Sequence, residues 1–179
     1  TPEALELCRR LEFKNLLGRF SSVQEDPKKS EETYEWVSDL SRAEEILAGL
    51  AGRRAAFQLI FGEDGRLLGA AVSEKKQEAV FLACEGFLTE AYLTTKLAET
   101  IHNMEQAVTI DLKPQLTRLP LSMQDAALFD AAIAAYLLNP LKGSYEAEDL
   151  ARDYLDWMVP SKSELLGKMP LHQAAVEQR

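Results

Sequence analysis

A mixed α/β sheet with helices on both faces is the fold this sequence predicts. Three observations lead there. Short apolar segments between Ala55 and Ala83 are separated by charged turns, which is the pattern of an antiparallel meander. From Leu88 onward, segments of helical period alternate with short apolar ones, the rhythm of a sheet extended through crossover helices. The chain has 179 residues, 46% hydrophobic and 27% charged, which suits one globular domain with an appended arm. A domain of this length buries about 70% of its unfolded surface and folds without a disulfide or metal staple.

The elements follow in order. Residues 3–17, EALELCRRLEFKNLL, place Leu5, Leu7, Leu11, Phe13, Leu16 and Leu17 largely at helical spacing, and Gly18 supplies a stop. Residues 21–33, SSVQEDPKKSEET, are polar, charged and interrupted by proline, as an exposed linker is. The main domain is expected to start near Tyr34, with a strand over Tyr34–Val37. Ser41 and Glu44 have capping-box spacing for a helix running through Leu50, closed by Gly49 and Gly52. Ala55–Phe61, Leu67–Val72 and Ala79–Ala83 are three strands, the first two joined by the turn residues Glu63-Asp64-Gly65. Leu88–Met104 is a long helix with a stripe of Leu88, Tyr92, Leu93, Leu97 and Ile101. Val108–Leu112 reads as a strand, and Pro114–Leu119 as a short helix with proline in its first turn. Ala126–Phe129 is a further strand. Asp130 then caps an apolar helix, Ala131–Leu138, which ends at Asn139-Pro140. Ala147–Met158 is another helix, and one more starts at Leu171.

Composition excludes several classes of function. Lys and Arg total 20 against 29 Asp and Glu, a net charge of −9. Nucleic-acid affinity comes mostly from cations that displace counterions, so a domain this acidic is a poor stand-alone binder. The acids are concentrated: residues 21–50 carry eight of them against Lys28, Lys29 and Arg42. No apolar run reaches the length of a membrane span. Cys8 and Cys84 have neither disulfide-framework nor metal-ligand spacing, and a reducing cytoplasm is the expected compartment. The chain opens on Thr1 without a basic-then-apolar leader, and it is expected to be a piece of a longer protein.

At Phe129–Leu155, FDAAIAAYLLNPLKGSYEAEDLARDYL, the chain resembles the signature of the 3′–5′ exonuclease domain of bacterial DNA polymerase I, family A. That family has a Phe-Asp-Thr start, a Leu-Ala-Ala-Tyr-Leu-Leu-Asn/Asp-Pro core and a following Leu-Ala helix. AVTIDLKPQL (107–116) is similar to the family's strand and Asn-Leu-Lys-Tyr-Asp segment, and residues 66–83 to its Val-Gly-Leu-Ser-Phe strand pair. Residues 3–17 resemble the last helix of the preceding 5′ nuclease domain. The resemblance implies an RNase H-like fold. It also implies three parts: a 5′ nuclease helix over 1–20, a linker over 21–33, and an exonuclease-like domain over 34–179 that is cut short at its C-terminus. The implied parent makes DNA from a DNA template in bacterial replication and repair, with magnesium in its polymerase domain. The implied partners are that domain in cis and, through it, DNA. A monomer is expected, with no membrane association and weak or no DNA binding by this portion alone.

The family's nuclease clamps the scissile phosphate between two metal ions held by converging carboxylates. Carried over position by position, its Asp-x-Glu falls on Gln58-Leu59-Ile60, so Gln58 and Ile60 stand where acids belong. Its Asn-Leu-Lys-Tyr-Asp falls on Asp111-Leu112-Lys113-Pro114-Gln115, so Gln115 replaces a third acid. The fourth falls beyond Arg179 if spacing is kept. Isoleucine cannot ligate magnesium, and a neutral carboxamide offers one weak oxygen. The resemblance therefore implies no catalytic residue, no metal and no cofactor in this chain. The rival is an active 3′–5′ exonuclease with a rearranged metal set drawn from Asp111, Asp125, Asp130 and Asp149.

The remaining candidates have plainer readings. Tyr145 and Asp149 reproduce a Tyr-x-x-x-Asp spacing too soon after Pro140, where a turn and an acidic helix start suffice. Asp130 is first an N-cap. His102 and His172 are lone histidines, Cys84 is a core-edge residue, and Trp36 and Trp157 are expected to be core anchors. Arg53, Arg54, Lys75 and Lys76 could form a local basic patch despite the net charge.

Overall fold

The computed structural model describes residues 33–121 and 127–167. The chain divides into two units, Thr1–Glu32 and Thr33–Arg179, and every described residue belongs to the second. The expected helix over 3–17, nearly all of the linker and the helix from Leu171 lie outside the described residues. Thr33, read as the end of the linker, is already in the first strand, where its N–H donates to the Gln77 carbonyl at 2.9 Å.

Six strands form one mixed sheet. They are β1 (Thr33–Val37), β2 (Arg54–Phe61), β3 (Leu67–Ser73), β4 (Glu78–Ala83), β5 (Gln106–Thr109) and β6 (Leu128–Asp130), in the spatial order β1-β4-β3-β2-β5-β6. The meander is β2–β3–β4, with both joins antiparallel. The Glu63-Asp64-Gly65 turn closes the first hairpin: the Gly62 N–H donates to the Arg66 carbonyl at 2.8 Å, and Gly65 takes φ of 76°, where a Cβ would be strained. The outer pairs β1–β4, β2–β5 and β5–β6 are parallel. Parallel neighbours need crossovers, and helices supply them.

Both faces of the sheet centre are covered. Successive strand residues point to opposite faces, and Gly69 with Ala70, like Leu82 with Ala83, are buried as adjacent pairs. Helix α1 (Leu40–Gly49) buries Ala43 and Leu47. Helix α2 (Glu90–His102) packs on β3 and α1 through Leu93, Leu97 and Ile101, all fully buried. Three such side chains are worth about 1.5–3 kcal/mol each. The Tyr92 hydroxyl donates to the Glu44 carboxylate, which ties α1 to α2. Shorter helices follow: α3 (Leu112–Leu116), α4 (Ala131–Leu138), α5 (Ala147–Leu155) and α6 (Lys162–Leu166).

Several boundaries differ from the sequence reading, each for a local reason. The N-cap of α1 is Asp39, whose carboxylate accepts the Arg42 N–H at 2.8 Å. Ser41 therefore lies inside the first turn, and Glu44 serves Tyr92 instead of a capping box. A capping box does exist at Ser161 and Glu164, where it starts α6, a helix the sequence reading omitted. The strand expected over Val108–Leu112 stops at Thr109, because Asp111 turns the chain into the left-handed region at φ 56° and Leu112 starts α3. Pro114 is thus the third residue of α3, where a missing N–H still costs nothing. β6 is shifted to Leu128–Asp130 from the expected Ala126–Phe129. Helix α5 ends at Leu155 rather than Met158, at a left-handed Asp156 with φ 51°.

The tryptophans are not core anchors. Trp36 is 41% exposed on edge strand β1, with its ring 4.7 Å from that of Phe81. Trp157 is half-buried under the Lys76 ammonium, 5.8 Å away. Apolar surface is instead left open on α4, where only Ala135 is buried and Leu137 and Leu138 are more than 70% exposed.

Candidate functional site

The sheet order fixes where a site can form. The chain leaves β2 toward β3 and β4 on one side, then returns to place β5 on the other. The strand order therefore reverses between β2 and β5. In open α/β sheets, ligands bind in the crevice outside the carboxyl ends of the strands at such a reversal.

Four side chains lie on the elements that border it. Gln58 and Ile60 share one face of β2, two residues apart, opposite Ala71 and Gly69 of β3. On the other side, pairing with β5 reaches only Ala56 and Val108. Beyond that point the two strands are joined by side chains. The Thr109 hydroxyl, at the end of β5, donates to the Gln58 carboxamide oxygen at 2.8 Å. The Leu59 main-chain N–H donates to the carboxamide oxygen of Gln115 on α3 at 2.7 Å. Gln115 is 2% exposed and Thr109 3%. Both are polar groups in the core, and both are satisfied; among the described residues no buried side-chain nitrogen or oxygen lacks a partner.

Asp130 closes the crevice from the β6 side. One carboxylate oxygen accepts the N–H groups of Ala132 and Ile133, at 2.8 and 3.1 Å, as the N-cap of α4. The other accepts the Leu112 N–H at 2.7 Å, at the start of α3. Asp111, the N-cap residue of α3, makes no side-chain cap, so Asp130 caps two helices at once.

The positions that the sequence resemblance matches to metal ligands carry side chains unsuited to hard divalent ions. Such ions need several anionic oxygens converging on one spot. Gln58 and Gln115 are neutral, each oxygen already accepts a protein hydrogen bond, and Ile60 has no donor atom. Among the described residues the alternative acids do not converge either. Asp111 is exposed, Asp130 faces main-chain N–H groups, and Asp149 pairs with Arg152 at 2.5 Å. Asp125 lies outside the described residues. Among the described residues, no group of three or more His, Cys, Asp or Glu is placed to hold a metal ion.

The other candidates resolve individually. The Tyr145 hydroxyl donates to the Asn139 carbonyl at 2.7 Å and its ring meets Tyr136 edge-on, so Tyr145 fastens the turn before α5. Asp149 lies in the first turn of α5. His102 is exposed in the last turn of α2; His172 and Cys8 lie outside the described residues. Cys84 is half-buried, and burial first, then the nearby Glu90, pushes its thiol up to about 11, although Arg66 opposes the shift. The expected basic patch is largely compensated, three of its four cations being paired with carboxylates. Arg53 meets Glu74 at 2.6 Å, Arg54 meets Glu105 at 2.5 Å, Lys75 meets Glu78 at 3.4 Å, and Lys76 lies over Trp157. A surface cleft of about 270 Å³ beside Arg53 and Arg42 is rimmed by these same paired charges. Lys142, in the segment before α5, and Arg152 and Asp153, toward the end of that helix, form a partly buried network.

Sequence reading missed Thr109 and the second role of Asp130. No local signal marks either one, because each partner lies far along the chain.

This sheet order, with helices on both faces and a crevice beside β2, is the RNase H-like 3′–5′ exonuclease fold. Trypanosoma brucei RNase D superposes with a TM-score of 0.59 at 12% identity, over 79% of this chain and 55% of that one. The Aedes aegypti Nibbler EXO domain gives 0.58 at 11% identity, over 78% of this chain and 76% of that one. Brucella melitensis NrnC, solved bound to pGG, gives 0.54 at 13% identity, over 73% and 65%. The chain thus spans about half the length of the RNase D it matches. No family model and no curated protein matches the sequence. Among the described residues, no helix is long and apolar enough to cross a membrane.

Proposed function

We propose that this chain is a non-catalytic exonuclease-fold platform within a larger bacterial protein of the DNA polymerase I kind. Its parent carries out DNA-directed DNA synthesis in replication and repair in the cytoplasm, using magnesium held in a polymerase domain in cis. The reading rests on the likeness of Phe129–Leu155 to that family's signature, and the fold of the described residues agrees with it. The observation that carries the loss of catalysis is the crevice itself. Neutral side chains stand at the ligand positions, and their oxygens are spent on Thr109 and the Leu59 N–H. Without a metal pair, nothing there stabilises the charge that develops in phosphodiester cleavage.

The test is incubation of the 179-residue chain with an end-labelled single strand in magnesium or manganese. No shortening is expected. Metal-dependent processive shortening by pure protein would establish an active exonuclease with a rearranged metal set and overturn this reading. DNA affinity is a second measure. At net −9, with three of its four candidate patch cations paired with carboxylates, the monomeric chain should bind a labelled strand no tighter than about 10⁻⁴ M at physiological salt. Micromolar anisotropy titrations with a steep salt slope would show that the domain still guides DNA.

A further inference from the structure

We infer that Gln115 is the clasp that holds the crevice shut. It ties β2 to α3 by a hydrogen bond at a position that the proposed function matches to a metal ligand. The ligand-position part of this inference rests on the proposed function; the clasp itself rests on geometry alone. Pairing between β2 and β5 ends at Ala56 and Val108, so the Leu59 N–H has run past the last strand acceptor. Left there in a buried setting, it would be an orphan donor, which native proteins avoid. The Gln115 carboxamide oxygen supplies the missing acceptor at 2.7 Å. The Thr109–Gln58 bond does the same between the side chains of the two strands. Together they extend the β2–β5 join by side chains after the main-chain ladder stops. Both carboxamide oxygens are therefore committed to protein donors, which opposes cation binding in addition to the missing charge.

The experiment uses the 179-residue chain, with amide exchange by NMR and thermal melting as readouts. In the native chain the Leu59 amide should be strongly protected, and millimolar manganese should not move the melting temperature. Gln115→Met keeps the bulk and removes the acceptor. It should lose Leu59 protection selectively and lower the melting temperature by about 3–10 °C. Gln115→Glu keeps an oxygen acceptor in either protonation state and should retain Leu59 protection. That pattern supports the clasp. Unchanged melting and protection in Gln115→Met would overturn it. So would loss of Leu59 protection in Gln115→Glu to the same degree as in Gln115→Met, or a manganese-dependent rise in native melting. If Gln115→Met does not fold, the native Leu59 exchange rate decides: fast exchange overturns the clasp and strong protection supports it. None of these readouts depends on strand cleavage, so failure of the clasp is distinguishable from failure of the proposed function.

Discussion

Replacing Asp130 with alanine separates a structural carboxylate from a surviving ligand. The side chain accepts three main-chain hydrogen bonds, from Leu112, Ala132 and Ile133. Loss of the α4 cap should cost about 0.5–2 kcal/mol. Stranding the N–H of Leu112, a residue only 5% exposed, should add about 1–3 kcal/mol. One carboxylate serves both ends, so the two costs overlap, and the expected total is about 2–4 kcal/mol. Asp130→Asn keeps one acceptor oxygen for the α4 cap but turns an NH₂ toward the Leu112 N–H. It should fall between the native chain and the alanine variant. Equilibrium urea unfolding reads the effect. At a mid-range slope of about 2 kcal/mol/M the midpoint should drop by about 1–2 M for Asp130→Ala, with the slope unchanged. An alanine variant within about 0.5 kcal/mol of native would refute the double-cap reasoning.

Further expectations follow from the packing and the charges. A Cβ at Gly69 would sit 2.3 Å from the Leu82 carbonyl oxygen and 2.6 Å from the Phe81 ring, so Gly69→Ala should lose at least about 1–3 kcal/mol by urea unfolding. Gly49→Ala, at the end of α1 with nothing within 4 Å, should instead gain about 0.5–1 kcal/mol in the same assay. Burial raises the Asp153 carboxyl, but hydrogen bonds from Lys142 and Arg152 outweigh it and hold the group below its ordinary 3.8. Its contribution is therefore complete above that value and is lost as pH falls through the lower folded value. Asp153→Asn should be less stable than native at neutral pH, with a gap that closes in acid, as pH-dependent urea midpoints can show. With its thiol pushed up to about 11, Cys84 has about a thousandth of its population as thiolate at pH 8, so in a Cys8→Ser background it should label far more slowly than a free thiol.

The meander was legible because its signals are local. Alternating apolar runs and a Glu-Asp-Gly turn belong to neighbours in sequence, and β2, β3 and β4 fall where those signals put them. The placement of β5 beside β2 was not, since nothing in either segment encodes its partner. Capping shows the same limit. Ser41-x-x-Glu44 and Ser161-x-x-Glu164 are equivalent as motifs, but Asp39 stands two residues ahead of the first and takes the cap. Tryptophan burial depends on what lies across the sheet, and Trp36 sits on an edge strand. In the crevice, residue types were readable one by one. That the Leu59 N–H would need Gln115, or Gln58 would meet Thr109, follows from where β5 stops, which depends on the turn at Asp111.

The strand order also sets a sequence of events in time. Strands β2, β3 and β4 can pair as hairpins as soon as they exist, but the contacts joining β2 to the β5 side span 51 and 56 residues. Such long closures are slow and late. Until β5 arrives, β2 is an edge strand, and its AAFQLIF segment is apolar, uncharged and free of proline. That is the composition that invites pairing with another chain. The interval between completing the meander and docking β5 is therefore when this domain is most exposed to misassembly, and its length depends on how quickly α2 carries the chain back across the sheet.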